Sequence, residues 1–151
     1  MAKIGEQMRP QKAKVTAWRA LRDRLPTCAN LRKRNIMIDE VEMNCNACFE
    51  SVEDINHTLL CCPKASAIWD GISRWIGFQT ARPQVVQDHY LALSHLGNGK
   101  KSKKFLKSLW VCTVWILWRH RNASRFDRKG WDIPEVENLE IEDIVGEVEI
   151  D

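Results

Sequence analysis

Within 18 residues this chain places five side chains able to bind a transition metal: Cys45, Cys48, His57, Cys61 and Cys62, with Pro63 directly behind. A Cys45-x2-Cys48 pair suits a tight turn that aims both thiolates at one ion. A second pair from a nearby segment then completes the tetrahedral N/S set that zinc takes in structural sites. Four protein ligands leave no open position for water, so the pattern implies a structural zinc and not a catalytic one. If the segment before Pro63 is α-helical, His57 and Cys61 stand at i, i+4 on one face. Cys62 precedes a proline and is biased out of the helix, which lets its sulfur turn to the ion instead. Spacing leaves both open. The competing reading, buried inert cysteines beside an ordinary histidine, is outweighed by the density of ligand-type residues.

The two remaining cysteines, Cys28 and Cys112, fall on apolar helix faces and read as core. His89, His95 and His120 have no partners at ligand spacing and read as surface or core. The first residues, Met1-Ala2-Lys3-Ile4-Gly5-Glu6, contain no apolar run of the kind that opens a secretory signal. The longest apolar stretch, Leu109 to Trp118, is shorter than the roughly 18 residues a membrane span requires. The expectation is an intracellular chain, cytoplasmic or nuclear and not secreted, whose cysteines serve a metal and not disulfides.

Hydrophobic residues make up 44% of the 151-residue chain, enough for one core. Periodicity predicts a mostly α fold. A first helix over 11–24 carries Val15, Trp18 and Leu21 as its apolar stripe, and Pro26 ends it. Thr27 caps a short helix over 28–34. A third helix over 65–75 stops at Gly77, Pro83 opens a fourth running to about Leu93, and a long Trp-rich helix spans about 103–126. Residues 39–46 read as an acidic loop. The predicted organisation is a helical domain over 10–126 with one zinc knuckle, and an acidic, disordered tail over 132–151. Trp18, Trp69, Trp75, Trp110, Trp115 and Trp118 recur at helical spacing beside aliphatic residues, which predicts core packing and not a base-stacking platform.

The formal charge of +3 hides alternating blocks. Residues 1–38 carry ten bases and two acids; residues 39–56 carry six acids and no base; residues 100–131 carry ten bases and one acid; residues 132–151 carry nine acids and no base. Lys12, Lys14, Arg19, Arg22, Arg32, Lys33 and Arg34, with Lys100 to Lys107 and Arg119, Arg121 and Arg125, are candidates for phosphate contact in RNA or DNA. Solubility alone explains many helical bases. Arg19 and Arg24 are also candidates for pairing with acids or carbonyls at the zinc loop. The acidic tail is a candidate mask for the basic patches.

Several motifs in order resemble a known family. These are Lys12-x-Lys14-Val15-x-x-Trp18-Arg19, then Arg24-Leu25-Pro26-Thr27-x-x-Asn30-Leu31-x-x-Arg34, then Cys45-x2-Cys48-x-Glu50-Ser51-x-Glu53-Asp54-x-x-His57-x4-Cys62-Pro63. Ile68-Trp69, Trp115-x-x-Trp118 and Arg121-Asn122-x3-Phe126 close the series. Together they resemble the zinc-binding domain on the C-terminal side of reverse transcriptases in plant LINE-type (non-LTR) retrotransposons, over about residues 10–126. The resemblance implies Cys45, Cys48, His57 and Cys62 as the zinc ligands, with Cys61 as the alternative fourth. It also implies an accessory role holding RNA or DNA for reverse transcription, in company with reverse transcriptase or ribonuclease H modules. The only tyrosine, Tyr90, is followed by Leu91-Ala92, so no Tyr-x-Asp-Asp polymerase motif exists, and no carboxylate set for two-metal hydrolysis is evident. The expectation is a detached piece that is not itself an enzyme. A zinc-stabilised protein-interaction module is the alternative.

Overall fold

The computed structural model describes residues 10–36, 39–77 and 82–126. The expectation for the acidic tail over 132–151 lies outside the described residues. Among the described residues five α-helices run in order: α1 (Pro10–Leu21), α2 (Cys28–Lys33), α3 (Pro63–Ile76), α4 (Val86–His95) and α5 (Lys100–Phe126). Between α2 and α3 lie a 3-10 turn (Glu40–Met43) and a π-helical turn (His57–Cys61). Among the described residues the extended structure is one isolated antiparallel bridge, Asn44 to Val52. The fold is mostly helical, as the periodicity predicts.

The long helix α5 forms the centre. Every residue from Cys112 to Trp118 is buried, as expected for a helix apolar on all sides. Its one polar member in that run, Thr113, donates its hydroxyl to the Leu109 carbonyl at 2.7 Å and so enters the core without an orphaned group. Helices α1 and α4 both pack on α5, and the π-helical turn packs on α3 and α5. No helix among the described residues is long and apolar enough to cross a membrane.

Helix α1 packs differently from its apolar periodicity. Its buried face is Ala13, Ala17 and Ala20, while Val15 is 49% exposed and Trp18 is 50% exposed. The alanines recur at i, i+4, i+7 and form a stripe as good as the one through Val15, Trp18 and Leu21. Facing bulky α5 residues, the alanine side is the one with the complementary volume. Trp18 lies outside the core, with the Arg22 guanidinium 4.7 Å over its ring. Trp75 is also about half exposed; Trp69, Trp110, Trp115 and Trp118 are buried. Enlarging the alanine face should therefore hurt more than trimming the tryptophan. Ala17→Leu is expected to cost about 1–3 kcal/mol by overpacking, and Trp18→Ala less than about 1 kcal/mol, measured as shifts in urea midpoint at constant slope.

Helix boundaries moved where side chains supply the punctuation. Helix α1 ends at Leu21, short of Pro26. Asp23 then takes a left-handed φ of 52°, and the Asn30 side-chain amide donates to the Asp23 and Leu25 carbonyls and the Asp23 carboxylate. Thr27 caps α2 as expected, its hydroxyl accepting from the Asn30 N–H at 3.2 Å. Pro63 stands at the first position of α3, and Gly77 ends that helix at φ 81°. Pro83 does not open α4. That helix begins at Val86, whose N–H donates to the Asn56 side-chain oxygen at 3.0 Å, so the start of α4 is fixed from the π-helical turn.

Candidate metal centre

Cys45 and Cys48 come from one tight turn. The Phe49 N–H closes it onto the Cys45 carbonyl at 2.9 Å, and Phe49 itself takes φ 61°. Around this turn a short antiparallel pairing joins Cys45 N–H to the Ser51 carbonyl and Glu53 N–H to the Met43 carbonyl. The amides of Ala47 and Glu50 point at Cys45 Sγ and Cys48 Sγ, at 3.4 and 3.5 Å. Amides aimed at sulfur favour the thiolate, the form that binds metal.

His57 and Cys62 come from the π-helical turn. The Cys62 N–H donates to the His57 carbonyl at 2.8 Å, five residues back. A turn wound by five brings positions 57 and 62 to the same side. The α-helical i, i+4 geometry that would have paired His57 with Cys61 is thereby replaced. Cys61 is exposed, its Sγ directed to the Gln84 carbonyl at 3.7 Å. Such a turn is sustained by its neighbours: the Leu59 carbonyl accepts from Trp69 Nε1 and the Leu60 carbonyl from Ser66 Oγ, each at 2.7 Å. At the front, the Asp54 carboxylate accepts from the His57 N–H at 2.7 Å.

The four donor atoms of Cys45, Cys48, His57 and Cys62 lie within 4.8 Å of one another. Cys45 Sγ and Cys62 Sγ are 3.9 Å apart, and Cys48 Sγ is 3.2 Å from His57 Nε2. Tetrahedral zinc with Zn–S bonds of about 2.3 Å sets sulfur–sulfur edges of about 3.8 Å, so the donor set fits the ion in number, chemistry and spacing. The thiol at Cys45 is pulled well below its ordinary range by hydrogen bonding from Cys62, helped by the amides of Cys48 and Ala47. Cys62 is pushed up by the same contact with Cys45 and by burial. The pair thus holds one negative charge unaided, and a bound zinc supplies the positive charge that lets both sulfurs ionise.

Glu53 ties this loop to the rest of the molecule. Only 1% exposed, its carboxylate accepts from the Cys28 N–H at the start of α2 at 3.1 Å, from Arg121 Nε at 3.0 Å and Nη2, and from Arg125 Nη2 at 3.2 Å. Arg125 also donates to the carbonyls of Glu42 and Asn44, immediately before Cys45. Arg121 reaches the Pro26 carbonyl as well, at 3.2 Å. Burial alone would raise the Glu53 carboxyl; the bonds and charge of Arg121 and the charge of Arg125 bring it below the ordinary carboxylate range.

Two phosphate-contact candidates are thereby corrected. Arg121 is 5% exposed and Arg125 is largely covered; both are spent on Glu53, filling the internal pairing expected of Arg19 and Arg24. The others lie on the surface. Lys12, Lys14, Arg19, Arg22, Arg32, Lys33 and Arg34 are exposed on α1 and α2 or just beyond, and Arg119 is exposed with its guanidinium 4.6 Å over the Trp115 ring. Glu53 is the functional residue that sequence reasoning quoted without giving it a task. One acid among six in a loop has no periodic signature. Cys28 and Cys112 are buried, as expected. His89 is buried too, with a partner the spacing did not reveal: its Nδ1 accepts from Trp110 Nε1 at 3.0 Å.

No curated protein and no solved structure matches this chain. Residues 1–69, which contain all four donors, match a protein family described as zinc-binding in reverse transcriptase. That match and the Cys3His donor set together support a zinc-binding domain related to reverse transcriptases.

Proposed function

We propose that this domain is a zinc-stabilised accessory module that holds RNA or DNA for LINE-type reverse transcription through α1 and α2, without catalysing a reaction itself. The observation that carries this reading is a concentration of exposed charge. Residues 10–36 carry eight bases against the single acid Asp23, and all eight bases are exposed. Lys33 pairs with Asp23 at 3.9 Å, largely in solvent, a contact worth little against a phosphate. Trp18, half exposed under Arg22, adds a flat surface on which an unpaired base can rest.

Each phosphate contact releases counterions, contributing about 0.7–0.9 to the slope of log affinity against log salt. In gel-shift titrations at two salt concentrations, single-stranded RNA or DNA is expected to bind with a steep slope. Replacing Arg32, Lys33 and Arg34 together by Ala should lower that slope by about 2. Absence of any shift at low salt would favour the protein-interaction reading. That second reading has its own observation: Val41 is 86% and Phe49 71% exposed on the acidic zinc loop, where phosphate is repelled and a basic protein segment is not.

A further inference from the structure

Between α3 and α4 lies a cavity of about 410 Å³, within the size range of pockets that take a small organic molecule. Its lining is partly apolar, with Ile76, Pro83, Leu93 and Leu96. It also carries Asp70, Arg74, Arg82 and the ring of His89. Arg82 is held in place by Asp70, at 3.0 Å, and by the Ser66 carbonyl. Asp70 is thereby neutralised, and Arg74, among the described residues, has no acid paired with it. The cavity so carries a net positive charge. Because His89 Nδ1 accepts from Trp110, its ring proton sits on Nε2. Burial, aided by the charge of Arg82, holds the ring's ionisation down to about 4, so His89 presents a neutral N–H donor at ordinary pH. Trp69 fixes its plane edge-on, ring centres 4.4 Å apart.

An apolar slot with a fixed neutral donor and a net cation at its edge discriminates by chemistry. A metal ion finds one carboxylate, already paired. A cation is repelled, and an uncharged apolar molecule leaves guanidinium groups without return. What fits is a planar, partly apolar body bearing a phosphate. We infer that the α3–α4 cavity is a binding site for one nucleotide, its phosphate at Arg74 and Arg82 and its base against Leu93 and Leu96. The choice of a nucleotide over another organic anion rests on the proposed nucleic-acid function. The two are physically linked, since Gln87 of α4 donates to the Leu21 carbonyl at the end of α1, at 2.7 Å.

The Trp110 indole N–H, bonded to His89, is a built-in reporter. In nitrogen-15 NMR of the zinc-loaded protein, uridine or adenosine 5′-monophosphate is expected to shift that resonance saturably. Inorganic phosphate and the free nucleosides should bind at least tenfold more weakly. Arg74→Ala should weaken nucleotide binding at least tenfold, and Ala92→Phe, which fills the cavity from an exposed position of α4, should abolish it. No shift with millimolar nucleotide, an equal response to inorganic phosphate or to free nucleoside, or unchanged binding in both variants would overturn the site. Gel shifts on the same preparation separate the two readings. Strand binding with a silent cavity sinks only the cavity, and nucleotide binding without strand binding sinks only the α1–α2 face.

Discussion

Cys62→Ala is expected to strip the domain of zinc and unfold it, while Cys61→Ala leaves both metal content and melting temperature nearly unchanged. The two cysteines are adjacent and chemically identical, so the contrast isolates geometry. The π-helical turn directs Cys62 to the other three donors and leaves Cys61 exposed. Structural zinc contributes on the order of 10 kcal/mol or more to small domains, comparable to the whole stability of a typical fold, about 5–15 kcal/mol. Losing one of four ligands forfeits most of that, and Cys62 is buried besides. Native mass spectrometry should find one zinc per wild-type chain and per Cys61→Ala chain, none per Cys62→Ala chain. A strong chelator should abolish the thermal transition of the wild type. Wild-type protein free of metal yet folded would sink the structural-zinc reading, and zinc lost from Cys61→Ala but kept in Cys62→Ala would reverse the ligand assignment.

What the amino-acid pattern announces here is whatever is local or periodic. Thr27, Pro63 and Gly77 mark helix ends through their own backbone chemistry, and the Cys45-x2-Cys48 turn is complete within its own residues. Helix α5 announces itself by being apolar on every side. The features that stayed hidden depend on partners distant in the chain. The inward face of α1 is decided by the volume of α5, so small Ala13, Ala17 and Ala20 displace large Val15 and Trp18 from the core. The π-helical turn exists because Trp69 and Ser66, ten and six residues on, accept the task of satisfying its carbonyls. His89 needs Trp110, and Glu53 needs Arg121, 68 residues away.

That last pairing sets the second large effect. Breaking a buried ion pair by removing one partner leaves the other charged and desolvated, a cost of about 3–5 kcal/mol. Arg121→Ala should incur it in full, since Arg121 supplies two of the bonds to Glu53. Glu53→Ala should match or exceed it, because the Cys28 N–H and Arg125 lose their acceptor too. Arg125→Ala should cost less, its side chain lying nearer solvent. The Glu53 carboxylate is held below its unfolded value of about 4.5. Its contribution is therefore present above that pH and lost as pH falls through the folded value, so the Glu53→Ala penalty should shrink in acid. Zinc should feel the same break, because Arg125 grips the Glu42 and Asn44 carbonyls that lead into Cys45. We expect Arg121→Ala to lose zinc to a competing chelator faster than wild type, as well as to unfold at lower urea. The same logic bears on where the folding unit ends. A chain cut after residue 69 keeps all four ligands, yet it leaves Glu53 without either arginine and exposes the face that α5 covers. Such a fragment should bind zinc without a cooperative thermal transition, whereas 10–126 should melt as one unit. A 1–69 fragment that melts cooperatively with zinc would show that the knuckle needs neither arginine.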